Sequence, residues 1–75
     1  METLTKNEFI KLGTIEQMDY INEHALKYSG REWLYLDDNH NIIDVDSELP
    51  VDNLFDYALD MHYESTDLQD KLFLD

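Results

Sequence analysis

Cysteine is absent from the 75 residues, which removes a disulfide framework, a cysteine-ligated zinc site and a thiol nucleophile. Base is scarce: five Lys and Arg stand against eighteen Asp and Glu, a formal net charge of −13. Such a chain has little with which to neutralise phosphates, so direct binding to nucleic acid is not expected. Proline occurs once, at Pro50, and glycine twice, at Gly13 and Gly30. Both glycines sit where helical patterns stop, which leaves none for a phosphate-cradling loop. No apolar run approaches the roughly 18 residues of a membrane-spanning helix. The first residues have neither the basic start nor the apolar stretch of a secretory signal. These absences predict a cytoplasmic protein that does not engage a membrane.

What is present is enough to fold. Hydrophobic residues make up 43% of the chain, and one Trp, five Tyr and three Phe are among them. A disordered acidic tail does not have that composition. The length suits a single domain over 1–75. A domain this small has limited core, so a homodimer interface or a bound partner is a ready source of further stability.

Punctuation along the chain predicts an α+β domain of order ααββαα, with a two-stranded antiparallel hairpin flanked by helices. Thr5 and Glu8 have capping-box spacing, and Gly13 is expected to stop a helix near 6–12. Thr14 and Gln17 repeat the box, and Gly30 closes a second helix over about 15–29. Its apolar face is Ile15, Met18, Ile21, Ala25 and Tyr28, with Glu16, Asp19, Glu23 and Lys27 on the other. Glu32–Leu36 and Asn41–Asp46 read as strands joined by the turn residues Asp37, Asp38, Asn39 and His40. Pro50 suits the opening of a third helix over about 51–64, burying Leu54, Phe55, Ala58, Met61 and His62. Ser65 or Thr66 is expected to cap a last short helix, with Leu68, Leu72 and Phe73 packing back.

Charge is distributed unevenly. Residues 32–70 hold no Lys or Arg. On the third helix Asp52, Asp56, Asp60 and Glu64 recur every four residues, which predicts one acidic ridge with neighbours ~6 Å apart along the axis. Like charges at that spacing cost about 0.2–0.5 kcal/mol per pair. A ridge kept despite that cost is expected to be a contact surface imitating the regular charges of a phosphate backbone; the plain alternative is a solvated face. Asp37, Asp38, Asp44, Asp46 and Glu48 would broaden the ridge into a field that steers toward a basic cleft. Trp33, Tyr35, Tyr57 and Tyr63 interleave with these acids. Trp33 is expected in the core, and an exposed tyrosine, with Tyr57 and Tyr63 as candidates, would anchor a partner.

Other chemistry finds little support. Asp37, Asn39, Asn41 and Glu48 fall at positions 1, 3, 5 and 12 of a calcium loop, but the required glycine is Ile42 and the flanks read as strands. His24, His40 and His62 have no ligand spacing, so neither metal nor cofactor is expected. No Ser-His-Asp order or cofactor fingerprint appears, which argues against an enzyme.

In type, the chain resembles the small acidic proteins that bacteriophages and other mobile elements encode to block host defence, including nucleic-acid mimics and CRISPR inhibitors. The resemblance rests on size, net charge, the missing cysteines and the base-free stretch 32–70. It implies a non-catalytic inhibitor that occupies the DNA- or RNA-binding cleft of a basic host protein, such as a CRISPR effector or another defence nuclease. The alternative class is a regulatory or antitoxin-like interaction module that uses an apolar face.

Overall fold

A computed structural model describes residues 3–60 and 72–75. The fold is α+β. Its elements are α1 (Lys6–Ile10), α2 (Thr14–Ser29), β1 (Leu34–Leu36), β2 (Ile42–Asp44) and α3 (Leu54–Leu59). The strands pair antiparallel, with Leu34 opposite Asp44, Tyr35 opposite Ile43 and Leu36 opposite Ile42. No helix among the described residues is long and apolar enough to cross a membrane.

The caps decide where the helices begin. At α1 the expected box forms: Glu8 N–H donates to Thr5 Oγ1 at 3.2 Å, and Thr5 N–H donates to Glu8 Oε1 at 2.9 Å. Those bonds hold the Glu8 carboxyl below its ordinary range. The second box does not form. Thr14 is already helical, the cap position is Gly13, and Gln17 instead donates its side-chain amide to the Phe9 carbonyl. Gly13 is also not the stop of α1, which ends at Ile10 with Lys11 as its cap. With φ −66° Gly13 is extended, not left-handed. Gly30 does terminate α2 as expected, at φ 80°, the region where a side chain is disfavoured.

The core collects Phe9 from α1, Met18, Tyr20 and Ile21 from α2, Leu34 and Ile42 from the hairpin, and Leu54 and Ala58 from α3. Leu72 and Phe73 pack back into it, and Phe73 meets the Phe9 ring edge-on at 5.2 Å between centroids. The segment holding Leu72 and Phe73 is not helical, and the last predicted helix otherwise lies outside the described residues. Leu4 and Phe73 form a parallel bridge, Leu74 N–H donates to the Leu4 carbonyl, and Lys6 N–H donates to Asp75 Oδ1. Residues 4–6 and 73–75 are thereby stitched together. Ile15, expected on the apolar face of α2, is 45% exposed.

Candidate interaction surface

Asn22 of α2 positions the hairpin. Its Oδ1 accepts from Leu34 N–H and Trp33 N–H, and its Nδ2 donates to the Leu34 carbonyl. The side chain is buried and does for the free edge of β1 what a neighbouring strand would do. On its other side β2 meets the incoming chain: Ile43 bridges Pro50, Asp44 N–H donates to the Leu49 carbonyl and Val51 N–H to the Ile42 carbonyl. Pro50 lies between those two bonds, where its missing N–H costs nothing.

That bridge corrects the third helix. Residues 49–51 stay extended against β2, so Pro50 does not open a helix. Asn53 supplies the cap, its Oδ1 accepting from Asp56 N–H at 3.0 Å, and α3 covers only Leu54–Leu59. Asp52 therefore lies ahead of the helix, Asp56 lies within it, and Asp60 is its C-terminal cap. The described part of the expected four-residue ridge is not a row on one helix. Asp60 N–H still bonds the Asp56 carbonyl, so those two keep one-turn spacing. Glu64 and Tyr63, like Met61 and His62, lie outside the described residues.

Two of the predicted contact acids are structural. Asp44 is half-buried, and its Oδ1 accepts from Asp46 N–H and Ser47 N–H, each at 2.9 Å. Its Oδ2 accepts the Tyr57 hydroxyl at 2.6 Å. Burial alone would raise the Asp44 carboxyl, but these donors outweigh it and hold it low. Tyr57 is correspondingly no exposed anchor: it is half-buried, and burial and the Asp44 carboxylate push its hydroxyl well up. Asp37 does similar work in the other turn. Its Oδ1 accepts from Asn41 N–H at 2.8 Å and Asn39 N–H at 2.9 Å, and the Asn41 bond leads in lowering its carboxyl. His40, at φ 65°, completes that turn.

Asp46 forms a two-pronged ion pair with Arg31, at 2.9 and 3.1 Å. Both side chains are exposed, so the pair contributes no more than about 1 kcal/mol. Asp38, Glu48, Asp52, Asp56 and Asp60 are exposed. Glu48 is held at φ 58° in the turn before Leu49, which is 64% exposed.

No protein-family model, curated protein or solved structure matches this chain.

What the sequence reading missed is Asn22, and the role of the turn acids. A polar residue on the predicted apolar side of α2 is a weak signal, because Asn alone does not say which backbone it will meet. The recurrence of Asp at turn starts, in Asp37-Asp38-Asn39 and Asp44-Val45-Asp46-Ser47, is the better signal: Asp at such positions bonds its own backbone two residues on.

Proposed function

We propose that this protein is a non-catalytic inhibitor that binds the basic, nucleic-acid-binding cleft of another protein, its carboxylates taking the places of phosphates. The observation that carries the reading is the one-signed charge of residues 32–60. Glu32, Asp37, Asp38, Asp44, Asp46, Glu48, Asp52, Asp56 and Asp60 share that span with no Lys or Arg. Glu32 precedes β1, and the others are presented from two turns, the approach to α3, α3 itself and its C-terminal cap, which spreads them over a surface and not along a line. Asp37 and Asp44 hold those turns in shape, and the exposed acids make the field. A surface of this kind raises the rate of encounter with a lysine- and arginine-lined cleft and competes with its polynucleotide. The resemblance to small acidic anti-defence proteins points the same way.

The test is a competition. The protein should displace a labelled duplex or single strand from a DNA- or RNA-binding defence nuclease, and the displacement should weaken steeply with salt. A variant carrying Asp38→Asn, Glu48→Gln, Asp52→Asn, Asp56→Asn and Asp60→Asn keeps the caps and turns and should lose most of this activity. Displacement at full strength by the neutral variant would replace this reading with that of an interaction module working through an apolar face.

A further inference from the structure

Within the acidic surface, one face of the hairpin carries an apolar row. The register puts Tyr35 beside Ile43, and the second bridge puts Ile43 beside Pro50. Residues paired across strands point the same way, so these three side chains line up across the sheet. Side chains alternate along a strand, and Leu34 and Ile42 enter the core, so the row is on the opposite face. Ile43, only 7% exposed, is not a member of the core cluster; Tyr35 is 41% exposed and Pro50 is exposed. The row thus has a closed centre and open ends. Exposed acids stand at both ends of the strands: Asp38 follows β1 and Glu48 follows β2, while Asp37 is held by its turn and Asp46 is paired with Arg31.

We infer that the Tyr35–Ile43–Pro50 row is the anchor of the acidic surface and takes arginine side chains of a basic protein. The inference rests on the reading of the acidic surface proposed above. Charge complementarity selects the occupant. A net charge of −13 repels a second copy of the chain and any polynucleotide, and attracts a cationic protein. Arginine fits better than lysine for a geometric reason. A guanidinium is planar and weakly hydrated, so it stacks on the Tyr35 ring and still offers N–H donors to a nearby carboxylate. A lysine ammonium is compact and strongly hydrated, and it senses mainly the charge. An aromatic residue with apolar neighbours and an acidic rim is the usual make-up of an energetic centre in a protein interface.

The experiment uses two probes of equal charge, nona-arginine and nona-lysine peptides, titrated into the full chain at low salt and followed by calorimetry and by amide shifts. The expected result is tighter binding of nona-arginine, by about two- to fivefold, with shifts centred on Tyr35, Ile43 and their neighbours. Tyr35→Leu keeps an apolar strand residue and removes the aromatic face. It should abolish the preference for arginine and leave nona-lysine binding within about twofold, with the variant's circular dichroism unchanged. Equal binding of both peptides, unaffected by Tyr35→Leu and with shifts centred on Asp52, Asp56 and Asp60, would overturn the anchor and leave the acidic-surface reading standing. Failure of both peptides to bind at low salt would overturn that reading and the anchor with it.

Discussion

At the scale of single residues, two polar side chains organise the hairpin and its junction with α3. Asn22 satisfies three backbone groups of the hairpin from a buried position on α2. Removing one member of such a set leaves its partners buried and unpaired, at about 1–3 kcal/mol for each group left unmet. Asn22→Ala is therefore expected to lower stability by about 3 kcal/mol, read as a shift in the urea midpoint. Asn22→Asp should also destabilise, because it faces the Leu34 carbonyl with an oxygen in place of the Nδ2 donor. Asp44 is the second organiser, joining its turn to α3 through the Tyr57 hydroxyl at 2.6 Å. A hydrogen bond to a charged group contributes about 1.5–3 kcal/mol. Tyr57→Phe is expected to cost that much in denaturation, and to bring the Asp44 carboxyl up from its lowered value in a carbon-detected titration.

At the scale of elements, the capping box of α1, the glycine stop of α2 and the hairpin turn were legible because each depends on residues a few positions apart. Thr5 with Glu8, Gly30, and Asp37 with Asn41 make local bonds that a sequence carries openly. The third helix was legible but its start was not, because that start is set at a distance. Pro50 can open a helix or sit at an edge of a sheet, and the pairing of Ile43 with Pro50 decides between the two. The acidic ridge drawn on that helix shifted with it, and Asp52 fell outside α3; among the hairpin acids expected to broaden the ridge, Asp44 is instead a hydrogen-bond partner of Tyr57. The return of Leu72 and Phe73 to the core was legible from their apolar character, but their pairing with Leu4 was not. Phe73 is 5% exposed and packs on Phe9 and Phe55. Phe73→Ala is expected to cost about 3–5 kcal/mol. In so small a domain that is a large share of the total, so the variant should be partly or wholly unfolded by circular dichroism at 37 °C.

At the scale of the whole molecule, two electrostatic effects oppose each other. Net charge of −13 on a short chain makes the compact state repel itself, and salt screens that repulsion over a Debye length of about 10 Å at 0.1 M. The melting temperature at pH 7 is therefore expected to rise between low and moderate sodium chloride; a flat or falling value would show the charges to be too dispersed to matter. Acid should act in the other direction. Asp37 and Asp44 are held below their ordinary values in the folded chain by hydrogen bonds that favour the carboxylate. A group lowered in this way contributes stability in full above its unfolded value, about 4, and loses it as pH falls through its folded value. Stability should accordingly hold or rise slightly as pH drops from 7 toward 5, where partial protonation relieves repulsion, and then fall below about pH 4 as the two turns lose their ligands. The two effects separate by salt. Adding sodium chloride should raise the neutral plateau and leave the acid limb in place, because bonds of 2.6–2.9 Å to Asp37 and Asp44 lie far inside the screening length. A double variant, Asp37→Asn with Asp44→Asn, should flatten the limb below pH 4 at the cost of a lower plateau, and thermal melts across pH at two salt concentrations measure both. Persistence of the full acid limb in that variant would mean that other carboxylates hold the fold together and that the two turns are not its acid-labile points.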